Sequence, residues 1–427
     1  MKRAALVGLI AAIAACAPSI PPGPEKPFDS GAQPDEPRLG AALPAGSTRY
    51  SHRSLADLFV RLTHDLEWGE KRPHLMRYEE AVRVGLSGSA SAQYASFLDG
   101  YLAEIRAQTG IDIARHSGPH NLSIRFVPGN AFRRRVPQNV CVVAPGRLDW
   151  STFGSSPSEY GTRAYEVQTE IRAMTVFIPD NAEPWLVRQC LIEEIAQALG
   201  PANDLYGLGP SIFNDDGAHV WPTALDYLML RVLYAPELRT GLNRLDTRRR
   251  ASQALRRLNP AGSGAPDLPP LRIGAIRIWE DTLRMAFDRT RPMPARFASA
   301  QKAASLAERR LKNTAYHCRS LAALVRLGRE QLPVALDAAS RGRRVCATAH
   351  GVGDVRLARL QLEGAYRLYQ SGEPAGAIEA TRGLEATFAA FGQDERLVAL
   401  YALQAAALRA IQDTEAGFLA RRKAAAW

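Results

Sequence analysis

Histidine and cysteine are scarce in this chain, at 8 and 5 among 427 residues. No Ser/His/Asp or Cys/His arrangement stands out, so the sequence displays no nucleophile paired with its base. His116 and His120 are spaced as an i,i+4 metal pair, but the Gly-Pro between them argues for a loop. The stretch GLGPSIF (Gly207 to Phe213) lacks the lysine and the preceding strand of a phosphate loop. Lysine is also rare. The net charge of +11 is carried by arginine, and no DNA- or RNA-binding motif accompanies it. Arginines such as those of RLDTRRRASQALRRL (Arg244 to Leu258) recur at helical spacings, which solvated helix faces explain more simply than nucleic acid. No apolar run is long enough to cross a bilayer as a helix. At 46% hydrophobic and 23% charged, the composition excludes a chain disordered throughout.

What is present begins at the N-terminus. Lys2 and Arg3 precede an apolar stretch through Ala15, followed by Cys16, the pattern of a signal peptide over 1–15. Ile13-Ala14-Ala15-Cys16 resembles the bacterial lipobox, whose small residues admit a lipoprotein signal peptidase and whose cysteine thiol takes a diacylglycerol. The resemblance implies lipidation at Cys16 and a membrane anchor in the bacterial envelope. Ala17, in place of aspartate, implies the outer membrane, facing the periplasm. A chain that leaves the cytoplasm is not expected to meet nucleic acid. Four cysteines remain: Cys141, Cys190, Cys318 and Cys346. An even count in an oxidising compartment argues for two disulfides. Of three pairings, Cys141–Cys190 and Cys318–Cys346 keep each bond within one expected domain. The second would join an antiparallel helix pair across the turn near Gly328 to Pro333. Free buried thiols are the alternative.

Residues 16–48 are rich in proline, glycine and alanine and read as an extended tether. From Ser54, an expected N-cap, the order becomes helix, strand (AVRVGLSG), helix closed by Gly110, then short strands (IDIARH, NLSIRFV, NVCVVAP, EIRAMTVFIP). Pro184 opens a helix closed by Gly200, and TALDYLMLRVLYAPEL is another. This is an α+β domain over 49–245. A connector with one or two helices spans 246–293. The rest, 294–427, is helical, with two aligned hairpins turning at Gly328/Pro333 and Gly372/Pro374 and a degenerate terminal copy. A period of roughly 41 to 44 residues with small residues at the helix contacts resembles long-period tetratricopeptide (TPR) repeats, although the aromatic consensus positions are mostly not aromatic.

The helix from Trp185 to Leu199 is apolar nearly all round, except where Glu193, Glu194 and Gln197 share one sector. Polar groups on such a helix are costly unless they face water, a partner or a cavity. That favours a cleft, with an amphipathic surface helix as the alternative. The stretch EEIAQALGPAND (Glu193 to Asp204) resembles the metzincin signature H-E-x-x-H-x-x-G-x-x-[HD]. In that signature two histidines one turn apart bind zinc, the glutamate activates its water, and glycine turns the chain toward a third ligand. In this register Glu194 stands for the general base and Gly200 for the turn. Glu193, Gln197 and Asn203 replace the ligands, and Asp204 is a substitute third ligand. SIFN (Ser211 to Asn214) resembles the Met-turn, with Phe213 in place of methionine. The order of strands and helices is metzincin-like as well.

Residues 50 to 245 are also similar to the uncharacterised "domain of unknown function 2927" family of alphaproteobacterial secreted proteins. VFIPDNAEPWLVRQCLIEEIAQALGPANDLYGLGPSIFNDD and LDYLMLRVLYAPELRTG carry that likeness, which implies no activity. Glutamine ligates zinc poorly, so one good ligand in three would not hold the metal. The expectation is a zincin-like fold without catalytic zinc and without a cofactor, acting as a binding or scaffold module. Its partner would be an envelope protein or a peptide, met through the cleft or the repeats. The alternative is a divergent hydrolase that uses Glu194 with another divalent cation. His219, soon after SIFN, reads as a structural histidine rather than a ligand.

Overall fold

Ser51 caps the first helix, α1 (His52–His64), by accepting a hydrogen bond from the Ser54 N–H. The cap therefore lies three residues before the one expected from the sequence. The computed structural model describes residues 50–66, 71–136, 141–153, 169–205, 208, 211–214, 218–268, 273–288 and 290–424. The signal peptide, the tether and Cys16 lie outside them.

The strands are β1 (Val82–Ser87), β2 (Ile113–Arg115), β3 (Leu122–Val127), β4 (Val142–Pro145) and β5 (Met174–Pro179). They form one sheet in the order β2-β1-β3-β5-β4. All neighbours are parallel except β4, which pairs antiparallel with β5 from Val142↔Phe177 to Pro145↔Met174. A parallel pair needs a crossover, and α2 (Ser91–Thr109) supplies it between β1 and β2. That helix ends at Gly110 in the left-handed conformation. Alternation along the strands sends Val82, Val84, Leu122, Ile124, Phe126, Met174, Val176 and Ile178 into the main core. The opposite face is covered at one corner by aromatics. Trp150 stacks on Phe132 and Phe153 and meets Phe177 edge-on. Phe132 comes from α3 (Gly129–Arg135), which sequence periodicity did not reveal.

Among the described residues, three more helices belong to this region: α4 (Pro184–Ala198), α5 (Ala224–Leu233) and α6 (Arg244–Leu258). Pro184 sits in the first turn of α4, and Thr223 with Asp226 forms a capping box on α5. Ala251, Ala254 and Leu255 of α6 join the same core. Four of its six arginines are ion-paired within the chain: Arg244 with Asp65, Arg248 with Asp57, Arg249 with Asp246 and Arg257 with Glu237. Each such pair is worth about 0–1 kcal/mol.

The remainder is helical: α7 (Ile273–Phe287), α8 (Met293–Ser305), α9 (Thr314–Leu327), α10 (Leu332–His350), α11 (Val355–Gln370), α12 (Pro374–Ala380), α13 (Leu384–Ala390) and α14 (Asp394–Ala424). The hairpin α9–α10 is closed by Cys318–Cys346, and Cys141–Cys190 ties β4 to α4. Both expected pairings are therefore formed. Small residues set the helix approaches. A methyl added at Gly328 would meet the Ala335 Cβ at 2.6 Å, and one at Gly342 would meet the Leu360 Cδ1 at 2.3 Å. The helix expected to run on from Pro374 is broken in two. Gly383 takes a φ of 76° between α12 and α13, where the chain cannot remain α-helical. No helix among the described residues is long and apolar enough to cross a membrane.

The sheet region and the helical region are in contact. The segment after SIFN fits between α2 and the turn from α13 to α14. Trp221 meets Phe97 edge-on, His219 lies against Phe391, and the Gln393 side-chain amide donates to the Ala218 carbonyl.

Candidate functional site

The candidate site lies at the C-terminal end of α4. Val187, Cys190, Leu191, Ile195 and Ala198 fix this helix in the core. Two tyrosines hold its carbonyls: the hydroxyl of the buried Tyr101 donates to Ile192, and that of the half-buried Tyr234 donates to Leu199. The chain then turns at Gly200, whose φ is +142°. A Cβ there would come within 2.7 Å of the Leu233 Cδ2 and 2.9 Å of the Met76 carbonyl oxygen. Glycine is thus required by both conformation and space.

After the turn the chain runs back along the end of α1. The Ala202 N–H donates to the Leu62 carbonyl at 3.0 Å. The Asn203 side-chain amide donates to the Arg61 carbonyl at 3.0 Å, and the Arg72 guanidinium donates to the Gly200 carbonyl at 2.9 Å. Gln197 reaches forward, donating to the Asp204 carboxylate at 2.9 Å. Of the residues singled out from the sequence, Gln197 and Asp204 are therefore brought together, whereas the Asn203 amide is held by α1. Glu194, Gln197 and Asn203 are 8%, 7% and 4% exposed; Glu193 is half-buried. The polar sector of the helix is covered rather than open. Burial also lowers the pKa of the neighbouring Arg61 guanidinium, with Asp65 and Glu280 acting in the opposite direction.

The SIFN turn closes over the same core. Phe213 is fully buried, and its carbonyl accepts from the Leu205 N–H. The Asn214 side chain donates to the Leu208 carbonyl. Ser211 serves twice: its hydroxyl accepts from the Phe213 N–H and donates to Asp226 at 2.5 Å. Asp226 is fully buried and also accepts from the Ile212 N–H, the Thr223 N–H and the Thr223 hydroxyl. Burial pushes its carboxyl up to about 6, against the pull of these donors.

Asp226 and Arg72 are the organising polar residues that sequence reasoning missed. The spacing Thr223-x-x-Asp226 signals a capping box, but nothing local reveals that the carboxylate also holds Ser211. Arg72 sits in an irregular segment with no periodic signal.

His116 and His120 do not converge on a common point. His116 turns back on its own loop, with Nδ1 accepting from the Gly118 N–H, and the His120 ring lies over Gly85. Among the described residues, no group of three or more His, Cys, Asp or Glu side chains is gathered as a metal-binding set.

No curated protein and no solved structure matches the chain. A family model does, over residues 52–253, which take in α1, the whole sheet and the candidate site through most of α6. The family that this region matches is the one described as protein of unknown function (DUF2927).

Proposed function

We propose that this chain is an envelope lipoprotein, anchored through Cys16 in the outer membrane and facing the periplasm. Its sheet region is a degenerate, non-catalytic metzincin-like domain that serves as a scaffold for TPR-like repeats. One observation carries the reading: the amides at two of the three ligand positions are spent on the protein itself, Gln197 on Asp204 and Asn203 on the Arg61 carbonyl. Amide groups used in this way, on side chains more than nine-tenths covered, are poor zinc ligands.

The element order supports the fold assignment. Among the described residues, a strand, a helix and four further strands, with one short helix among them, lead into α4. The turn at Gly200, with its φ of +142°, and the burial of Phe213 in the SIFN turn support that register. The first helices of the successive hairpins begin at Thr314, Val355 and Asp394, a spacing of about 40 residues that supports a long-period repeat. Packing of Ala218 to Trp221 against the α13–α14 turn couples the two regions, as a scaffold requires.

The test is metal analysis of the purified full chain by mass spectrometry, with peptide and protein hydrolysis compared between wild type and Glu194→Gln. The proposal expects no stoichiometric zinc and no turnover that depends on Glu194. Tightly bound zinc at one per chain, or hydrolysis lost in Glu194→Gln, would overturn it.

A further inference from the structure

We propose that the face formed by α10 and the turn before α9 is a membrane-contact surface, which binds the phosphates of anionic lipid headgroups. Leu306–Leu311 continues α8 as a wider π turn, and Lys312 ends it at a φ of 48°. Lys312 is the only non-glycine residue at positive φ among the described residues. A side chain held in that conformation costs energy, and such backbone outliers and π turns collect at functional positions. The turn carries Arg309, Arg310 and Lys312, all exposed. The Arg341 guanidinium of α10 meets the Glu308 carboxylate at 3.2 Å, which sets α10 beside this turn. Arg344 lies one helical turn beyond Arg341, and Arg343 flanks it; both are exposed.

Cations outnumber carboxylates here. Over residues 306–313 and along α10, six cations stand against two carboxylates, Glu308 and Asp337. Both carboxylates pair with Arg341. Among the described residues, the other five cations enter no ion pair. Val334, 37% exposed, is seven residues before Arg341 and so on the same side of the helix. An exposed apolar side chain among lysines and arginines is the pattern of a surface that lies on a bilayer. The apolar group enters the headgroup boundary, while the long cationic side chains reach the phosphates. All five unpaired cations are exposed, on a helix face and a turn, which suits an extended plane of negative charge better than one enclosed anion. The inference rests on the proposed lipid anchor only for where the chain meets lipid. A lipid at Cys16, joined through a proline-rich tether, brings the chain to a membrane without orienting it; the basic face supplies the orientation.

The test is co-sedimentation with vesicles of phosphatidylglycerol mixed into phosphatidylcholine, against vesicles of phosphatidylcholine alone. The chain begins at Ala17, which keeps every described residue and leaves lipidation out of the readout. The expected result is binding to the anionic vesicles that weakens with added salt, and none to the neutral ones. Arg309→Gln, Lys312→Gln and Arg344→Gln together should weaken it about a hundredfold, at about fivefold for each cation. Arg53→Gln with Arg249→Gln and Arg256→Gln removes the same charge from exposed positions of α1 and α6, and should change binding by no more than about twofold. An unchanged thermal melt establishes that each variant is folded. No binding to the anionic vesicles, or an equal loss in the two triple variants, would overturn the proposal. So would a thermal melt raised by inorganic phosphate without vesicle binding, the behaviour of a free-anion site. An unlipidated Cys16 in cells would remove the anchor and leave these results unchanged, so the two readings fail separately.

Discussion

Gly200 is the sharpest structural test of how the candidate site is built. Gly200→Ala adds one methyl group at a φ of +142°, which L-residues rarely adopt; such strain costs about 1–3 kcal/mol. The new Cβ also meets the Leu233 Cδ2 at 2.7 Å and the Met76 carbonyl at 2.9 Å. Leu233 can rotate away, but the carbonyl belongs to the backbone, and overpacking of this kind adds about 1–3 kcal/mol. The expected total is about 4 kcal/mol. Gly110→Ala is the matched control. Gly110 also has a positive φ, +76°, but nothing lies within 4 Å of its missing Cβ, so strain alone applies and the expected cost is about 1 kcal/mol. Urea unfolding of the oxidised protein, followed by circular dichroism, measures both. If the two substitutions cost the same, the close approach at Gly200 contributes nothing and the account of the turn is wrong.

Removing the β4–α4 tether by Cys141→Ala with Cys190→Ala opens a loop with a sequence separation of 49. Loop entropy then predicts a loss of about 4 kcal/mol, read as a lower melting temperature; a loss below about 1 would contradict it. Asp226→Ala leaves Ser211, Ile212 and Thr223 donors without their acceptor, so a loss of about 3–5 kcal/mol is expected from denaturant unfolding, with Asp226→Asn milder. Between about pH 4 and 6, two buried groups oppose each other. His64 is held down to about 4 by burial, so its contribution is lost as pH falls from 6.5 toward 4, by about 3 kcal/mol. The Asp226 carboxyl is raised from 3.8 to about 6, so its contribution is present below 3.8 and lost as pH rises through 6. Asp226→Asn should therefore show steep acid loss and His64→Gln the reverse slope; equal slopes in the two variants would refute the assignment.

The contrast between α4 and its surroundings shows which parts of the fold the chain states locally. Pro184, the apolar periodicity and Gly200 delimit α4 without help from the rest of the protein, and alternation does the same for β1, β3 and β5. α3 carries no such signal, because GNAFRRR is too short for a helical period and is held by Phe132 beneath Trp150. The break after α12 depends on one glycine, Gly383, within an otherwise continuous helical pattern. For the site, a helical wheel fixes the azimuth of Glu193, Glu194 and Gln197 but not what stands opposite that sector. What stands near it is the return of the chain from Gly200 to Asp204 along the end of α1, held by Arg72 and Asn203. Those contacts span 128 and 142 positions of sequence, beyond the reach of any periodicity. A polar stripe that reads as the floor of a cleft is thus, in the folded chain, mostly the inner side of a covered turn.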